Sequence, residues 1–493
     1  MKCFSLFRTA RHPKPVRRAS QFKRQLRLES CEQRLLMAGD ITLANGELFI
    51  DGTADNDQAE VIVDDGEVEV TLAHFDTAGN LIHEHTASFD LDDVTRILFW
   101  GGAGNDTFAN AFVDDIGIPH FNNIPCIAYG HSGYDFLVGG SANDELYGGS
   151  QSDWLYGYGG VDSLFGGEDP DMLFGGEAND WLYGQGGDDE LRGEMGDDWL
   201  GGGIGNDTYK FDSRAGYLME DANLGNDTVS ELAGEGSDWL EFSDFNHSVN
   251  VYLYSVSPQT ASPGYLAFKL LNPNEIENVR GSRFNDNLVG NSLANQLEGL
   301  EGDDSLAGLQ GNDNYLFGAH AHGSDTLIEY ANQGTDRLSF LGFDSGITVD
   351  MSLSTSQTVQ LGRLYLKLVN PLEFENVLGT QYDDVIRGNS RNNYLEGAGG
   401  NDFLRGLDGN DTLSGDAGND TLYGDGGIDT IMGGTGDDYL DGGPDHLIDH
   451  LYGGLGRDTF VRNHFWSSYW VSEGDEFEDF TRGDSIDNRY GMY

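Results

Sequence analysis

A strict nine-residue period constrains the fold of this chain more than any other feature of its sequence. From Gly130 to Gly202, a glycine occurs at every ninth residue. Each nine-residue unit, here called a frame, starts at this glycine. The sixth residue of every frame in this run is aspartate, and the eighth is leucine except for Tyr209 in the last frame. Such a short, fixed period indicates a repeat architecture, in which each unit buries its apolar residue against neighbouring units.

Two further arrays of frames follow along the chain. The second starts at Gly281 and the third at Gly379, and a last frame contains Asp458. Asn295 and Asn393 interrupt the series of sixth-position acids. The acids at this position form our set of candidate metal ligands: Asp135, Asp144, Asp153, Asp162, Asp171, Asp180, Asp189, Asp198, Asp207, Asp286, Asp304, Asp313, Asp384, Asp402, Asp411, Asp420, Asp429, Asp438 and Asp458.

The residue types of a frame predict its local structure. Glycine permits a positive φ, and so a tight turn that exposes main-chain carbonyls. The sixth position adds a carboxylate to that turn. The apolar eighth residue, flanked by outward seventh and ninth residues, predicts a three-residue strand. Each frame is therefore expected to form one turn and one short strand, which gives an all-β solenoid.

The charge of the chain indicates what its partners are. Beyond the basic first 40 residues, the chain carries a net charge of −64. A body this acidic repels nucleic acid and anionic lipid, and its self-repulsion favours unfolding unless cations neutralise it. Calcium, or another hard cation that prefers oxygen ligands, is the first partner to expect. The sequence has no apolar run long enough to span a membrane, and its three cysteines are too few and scattered for a zinc site or a disulfide framework.

The frames resemble the RTX, or haemolysin-type, calcium-binding nonapeptide G-G-x-G-x-D-x-U-x, where U is a large apolar residue. The resemblance implies a parallel β-roll in which two frames complete one coil. Frames 18 residues apart then stack on the same side and hold calcium between their turns, which gives about 7, 2 and 7 ions in the three arrays. Weaker or empty sites are expected where the fourth glycine or the sixth acid is replaced, at Ala142, Gln151, Asp169, Ala178, Asn295 and Asn393.

The remaining segments complete the predicted domain organisation. The two spacers between the arrays resemble each other at an offset of 98 residues and are expected to continue the solenoid with longer coils. Residues 479–487 resemble the segment that follows RTX arrays, which fits a terminal cap. The predicted domains are a basic export or sorting segment (1–40), an N-terminal β-rich cap (41–126), the first array (127–210), spacer 1 (211–280), the second array (281–317), spacer 2 (318–378), the third array (379–461) and a C-terminal cap (462–493).

The basic N-terminal segment carries a second resemblance. Residues 28–40 are similar to the LExLExRxLLxxD-type segment that precedes secreted and surface repeat proteins of planctomycete bacteria, with Cys31 where a leucine is usual. The resemblance implies export or surface sorting. The alternative is a basic amphipathic helix.

Aromatic residues fill the ninth position of five successive frames in the first array. Alternate frames lie on opposite sides, so Tyr147, Phe165 and Tyr183 should form one row, and Tyr156 and Phe174 another. Such rows either bind sugars or a partner, or stabilise the stacked coils.

These observations together predict a secreted or cell-surface, calcium-stabilised β-solenoid with a structural or adhesive role. Its expected partners are multiple calcium ions, with surface polysaccharide or further copies of itself as the second class. The alternative is a calcium-dependent secreted enzyme of the RTX type, such as a polysaccharide lyase or epimerase, or a toxin. We found no catalytic constellation in the sequence. Gly130-His131-Ser132-Gly133-Tyr134 lacks the second glycine of a nucleophile elbow.

Overall fold

The computed structural model describes residues 40–113, 119–212, 223–232, 234, 236–331, 333–445, 447–465, 476–477 and 484–491. The predicted sorting segment, apart from Asp40, and much of the predicted C-terminal cap therefore lie outside the described residues. The chain divides into two compact units, residues 1–205 and 206–493. Among the described residues, no helix is long and apolar enough to cross a membrane.

The first unit opens with paired β-strands and a 3₁₀ turn at Leu91–Asp93. Strands β3, β4 and β5 form an antiparallel meander, and β2, β6 and β10 start a parallel sheet. Apolar residues of β3 and β4 are buried at alternate positions, whereas no residue of β5 is buried. The strands are β1 (Ile41–Ala44), β2 (Glu47–Asp51), β3 (Asn56–Asp64), β4 (Glu67–Phe75), β5 (Leu81–Asp90), β6 (Arg96–Ala103), β7 (Thr107–Ala109), β8 (Ala111–Val113), β9 (Pro119–Phe121) and β10 (Cys126–Ser132).

The first array forms a parallel β-roll, as its resemblance to the RTX nonapeptide implies. Leu146 pairs with Leu164 and Leu164 with Leu182, so strands 18 residues apart are hydrogen-bonded neighbours. Even-numbered and odd-numbered strands build the two opposite walls of the roll. The strands are β11 (Phe136–Gly140), β12 (Glu145–Ser150), β13 (Trp154–Gly159), β14 (Ser163–Glu168), β15 (Met172–Glu177), β16 (Trp181–Gly186), β17 (Glu190–Met195) and β18 (Trp199–Ile204).

Most of these strands have six residues rather than the predicted three. The extension exists because the position-one glycine continues the strand and faces inward. At Gly148 an added Cβ would lie 2.3 Å from Asp153 Oδ2 and 2.6 Å from the carbonyl oxygen of Gly166. Only glycine therefore fits this position, and the strand runs through it into the turn.

The second unit holds the other two arrays and both spacers. Its strands are β19 (Thr208–Lys210), β20 (Gly225–Val229), β21 (Trp239–Glu241), β22 (Asn250–Tyr252), β23 (Gln259–Ser262), β24 (Leu266–Leu270), β25 (Asn278–Arg280), β26 (Asn287–Val289), β27 (Gln296–Glu298), β28 (Ser305–Ala307), β29 (Asn314–Gly318), β30 (Gly323–Ile328), β31 (Asp336–Gly342), β32 (Thr348–Asp350), β33 (Gln357–Gln360), β34 (Leu364–Val369), β35 (Phe374–Leu378), β36 (Val385–Arg387), β37 (Tyr394–Glu396), β38 (Phe403–Asp408), β39 (Thr412–Ala417), β40 (Thr421–Gly426), β41 (Thr430–Thr435), β42 (Tyr439–Asp441), β43 (His450–Leu455), β44 (Thr459–Phe465), β45 (Glu476–Phe477) and β46 (Ser485–Gly491). A 3₁₀ turn lies at Pro371–Glu373.

The spacers continue the parallel stacking with longer coils, as predicted. Leu306 of the second array pairs with Leu327 of spacer 2, and Leu327 pairs with Leu368. These partners are 21 and 41 residues apart, against 18 within an array. The extra residues of the last coil include an antiparallel strand, β33, that pairs with β34.

Eighth-position side chains fill the interior of the rolls. Leu155, Leu164, Leu413 and Leu422 are all fully buried. Burying a leucine side chain contributes about 1.5–3 kcal/mol. The apolar column therefore gives each coil a regular but narrow core.

The two predicted aromatic rows are present on the outside of the first array. Tyr147 and Phe165 stack with ring centroids 4.7 Å apart and planes within 4°, and Phe165 continues the row to Tyr183 at 5.2 Å. On the other side, Tyr156 and Phe174 stack at 4.4 Å. These distances are typical of favourable offset stacking.

Candidate metal centres

The structure buries every sixth-position acid of the candidate set. All of these side chains are at most 3% exposed. One carboxylate oxygen of the interior acids accepts a hydrogen bond from the main-chain N–H of the sixth-position residue one coil earlier. Asp153 Oδ1 accepts from Asp135 at 2.8 Å, and Asp420 Oδ1 accepts from Asp402 at 2.8 Å. The acids therefore form columns that connect successive coils.

The other carboxylate oxygen, Oδ2, divides the acids into two groups. In the larger group it is buried and has no hydrogen-bond partner among the described residues. A buried charged oxygen without a partner costs several kcal/mol, so it requires a proton or a cation. This group comprises Asp106, Asp135, Asp153, Asp162, Asp171, Asp180, Asp304, Asp313, Asp402, Asp411, Asp420 and Asp438.

A left-handed backbone accompanies each unpartnered Oδ2. In the turn before Asp420, the second residue, Asp416, has φ 67° and the fourth, Gly418, has φ 140°. The second residue is left-handed even where it is bulky, as at Tyr158 (φ 73°) and Leu407 (φ 84°). Such residues rarely adopt this conformation, and the strain is typical of ligand-binding turns. We call this geometry the open turn.

The second group has closed turns, in which the protein satisfies Oδ2 itself. The N–H of the second residue donates to Oδ2 at 2.7 Å in Asp144, 2.5 Å in Asp286 and 2.6 Å in Asp384. These donors are Gly140, Ser282 and Thr380, and none of the three has a left-handed φ.

Asn295 and Asn393 occupy closed turns as well. Their Oδ1 atoms accept from the N–H groups of Asn291 and Asn389, both at 2.8 Å. Their amide groups donate to main-chain carbonyls. Both asparagines are therefore fully engaged by the protein.

Replacement of the fourth glycine does not by itself close a turn. Gln151, Asp169 and Ala178 keep left-handed φ values of 73°, 71° and 81°, whereas Ala142 does not. The second residue of the turn is likewise left-handed in the frames of Gln151, Asp169 and Ala178, and it is not left-handed in the frame of Ala142. Among the frames in which the fourth glycine is replaced, only the frame with Ala142 therefore has a closed turn.

Burial controls the protonation of the acids in the open turns. It raises the pKa of Asp153 to about 8 and that of Asp180 to about 9. Main-chain N–H groups oppose this effect, and neighbouring carboxylates add to it. A cation at the turn reverses the balance, because an opposite charge favours the ionised carboxylate.

Several members of the columns were not in the candidate set. Asp207 N–H donates to Asp238 Oδ1 at 2.8 Å, and Asp238 N–H donates to Glu277 at 2.9 Å, so the column continues through spacer 1. Asp106 and Asp449 also lie in the columns. A signal was available in the sequence, because Asp238 stands two residues before Leu240, the same spacing as in a frame.

The geometry therefore defines a cation-binding parallel β-roll. Hard carboxylate oxygens in turns rich in main-chain carbonyls are the donors that calcium prefers. A family model described as the RTX calcium-binding nonapeptide repeat (4 copies) matches residues 98–116, 127–155, 138–173, 174–209, 280–318, 378–413 and 414–446. These segments are RTX calcium-binding repeats, and calcium is their ligand. No curated protein matches the chain.

Proposed function

We propose that this protein is secreted or held at the cell surface, and that its β-roll is a calcium-folded scaffold with a structural or adhesive role. The observation that carries the proposal is the set of buried carboxylate columns with unpartnered Oδ2 atoms. In this proposal the columns bind calcium at the concentrations found outside the cell. Extracellular calcium-binding modules bind in the range of roughly 10⁻⁴–10⁻³ M.

The ligands in this proposal are the acids whose second-position residue is left-handed. This set leaves out Asp144, Asp286 and Asp384, which the sequence analysis counted as ligands, because a main-chain N–H already occupies their Oδ2. It adds Asp106 and Asp449. The other members are Asp135, Asp153, Asp162, Asp171, Asp180, Asp189, Asp198, Asp207, Asp304, Asp313, Asp402, Asp411, Asp420, Asp429, Asp438 and Asp458.

Calcium acts in this proposal as the link between coils. The acid of one coil already bonds the main chain of the preceding coil, and an ion at Oδ2 neutralises the column while it joins successive turns. Since metal binding occurs only in the folded turn, its free energy adds directly to folding.

Aromatic residues on the outer surface of the first array support a scaffold that binds a partner. The stacked rings of Tyr147, Phe165 and Tyr183 cover one another's faces, so this row stabilises the coils. Trp154 and Trp181, at 37% and 49% exposed, offer free indole surface instead. We propose them as contact points for surface polysaccharide or for a second copy of the chain.

Cell fractionation tests this proposal. The intact chain should be found in the medium or on the cell surface, and a calcium chelator should release the surface-bound fraction, whereas a magnesium-only wash should not. Protein confined to the cytoplasm would contradict the localisation. Surface protein that resists chelation would contradict calcium-dependent attachment.

A further inference from the structure

We propose a second kind of cation site, formed by Asp313, Glu329 and Asp336 where the second array meets spacer 2. One carboxylate oxygen from each residue lies within 4.8 Å of the others. The three side chains are 1%, 0% and 2% exposed. The inference concerns an ion within the fold and does not depend on the proposed surface role.

The stacking of the coils explains why these three residues meet. Asp313 is the last acid of the second array, and its N–H donates to Asp336 Oδ1 at 2.9 Å, so Asp336 continues the column. Leu306 pairs with Leu327, and this register brings Glu329 level with Gly308. In a regular coil that level holds another position-one glycine, which presents its carbonyl oxygen to the turn, as Gly424 does toward Gly406. Here the spacer supplies a glutamate.

The side chain of Glu329 is held in place by one of its two oxygens. Tyr315 donates its hydroxyl to Glu329 Oε1, and the N–H of Gly308 lies 2.7 Å from the Tyr315 hydroxyl oxygen and 3.3 Å from the same Oε1. Asn370 fixes the main chain of Glu329 through a 2.8 Å hydrogen bond to its carbonyl oxygen. Tyr315 is at the eighth position, where most frames have leucine, and its hydroxyl serves to orient this glutamate.

The free oxygens of the cluster point to a ligand. Glu329 Oε2 and Asp313 Oδ2 are both buried and have no hydrogen-bond partner among the described residues. Three carboxylates this close repel one another strongly unless a cation lies between them. An all-carboxylate set selects a hard divalent ion, and calcium is the ion that the adjoining turns already bind.

The same arrangement occurs a second time in the chain. Asp207, Glu231 and Asp238 also place one carboxylate oxygen each within 4.8 Å of the others. Glu231 and Asp238 precede Glu329 and Asp336 by the 98-residue offset of the spacers, and Tyr209, like Tyr315, is the eighth residue of the last frame before its spacer. Repetition of glutamate, aspartate and tyrosine together is expected if the duplicated unit contains a binding site.

Native mass spectrometry of the calcium-saturated full chain tests the inference by counting bound ions. Glu329→Gln and Asp336→Asn should each bind one calcium ion fewer than the wild type. The double variant should also lose one ion, since both residues belong to one site. Asp344→Asn is the matched control, because Asp344 is exposed in the same spacer and lies outside the repeat turns, and it should keep the wild-type count.

Wild-type counts in both single variants would overturn the proposal, as would a loss of two ions in the double variant. If a variant fails to give the β-rich circular dichroism spectrum of the wild type, a terbium-soaked crystal of the wild-type protein decides the matter. An anomalous peak between the three carboxylates supports the site. Peaks at the open turns but no peak between these three carboxylates would overturn the proposed site. That result would still agree with calcium binding by the repeats.

Discussion

Two turns of the third array have the same repeat spacing but differ in the hydrogen bonds that they donate to their aspartate. At Asp384 the N–H and the hydroxyl of Thr380 donate to the carboxylate, and both oxygens are satisfied. At Asp420 only Oδ1 has a donor, while Oδ2 is buried without a partner among the described residues. The comparison teaches that the repeat signature specifies where the acid lies, whereas the second residue of the turn decides whether the protein itself satisfies both carboxylate oxygens.

The backbone at the second residue explains the difference. Thr380 has no left-handed φ, and its N–H points at the acid. Asp416, which takes the same place before Asp420, has φ 67°. A left-handed residue other than glycine costs about 1–3 kcal/mol. The open turn therefore leaves one carboxylate oxygen without a donor among the described residues, and it is also strained where its second residue is not glycine, whereas the closed turn satisfies both oxygens.

Calcium removal should produce the largest effect and should separate regions that have open turns from regions that do not. A calcium titration followed by far-ultraviolet circular dichroism should show a cooperative gain of β signal, because open turns repel one another without an ion. Hydrogen exchange of the calcium-free chain should show lost protection in β12 to β18. Strands β3 and β4 should stay protected, because their buried apolar residues hold them together. An unchanged spectrum after chelation would contradict this expectation.

Substitution of the two acids should give the next largest effect. Asp420 bonds both its column neighbours, Asp402 and Asp438, so Asp420→Ala should damage two sites and raise the calcium midpoint for folding several-fold. Asp384→Ala removes an acceptor from Thr380, and an unsatisfied buried N–H costs about 1–3 kcal/mol. It should lower the stability of the calcium-loaded protein while moving the midpoint much less. Equal midpoints for the two variants would show that open and closed turns do not differ in calcium binding.

The acidity of the open turns predicts an unusual pH dependence for the calcium-free protein. Burial raises the pKa of Asp153 and of Asp402 to about 8, and that of Asp420 to about 6, from an ordinary value of 3.8. Between the ordinary pKa and the raised pKa of each carboxyl, the folded state holds a proton that the unfolded state has lost. Folding therefore becomes less favourable as pH rises through this range. Protein stripped of calcium on a chelating resin should therefore be most folded near pH 4. It should lose β signal progressively toward pH 8.

The reverse trend, with the stripped protein more folded at pH 8 than at pH 4, would show that these carboxylates are not buried without an ion. Calcium-loaded protein is the control, and its β signal should persist at pH 8 because the ion takes the place of the protons.

The smallest effect is expected from restoring an acid in a closed turn. Asn393→Asp matches the sequence of a complete frame, yet Asn389 already donates to Oδ1 and the amide of Asn393 donates to the carbonyl of Glu375. The new carboxylate loses that amide bond, so stability should fall by about 1 kcal/mol. Native mass spectrometry should find no additional calcium. An extra ion would mean that the asparagine alone had kept the site empty.

The nine-residue period predicted a solenoid, and the resemblance to the RTX nonapeptide implied a coil of two frames. Together they placed Asp420 in a column with Asp402 and Asp438, and Tyr147 beside Phe165, and the structure confirms both placements. The repeat pattern predicted both Asp384 and Asp420 as ligands, since the difference between their turns lies in one backbone angle and one hydrogen bond. Glu329 was missed. It lies outside the period, and only the register between β28 and β30 brings it to Asp313.

The most direct test of the central claim is a crystal structure of the calcium-loaded full chain with anomalous differences recorded at long wavelength. We predict anomalous peaks within coordination distance of Oδ2 at Asp402, Asp411 and Asp420. At Asp384 we predict no peak, with the Thr380 N–H still bound to its carboxylate. A calcium ion on Asp384 with the Thr380 bond broken, or an Asp420 turn without an ion, would contradict the account.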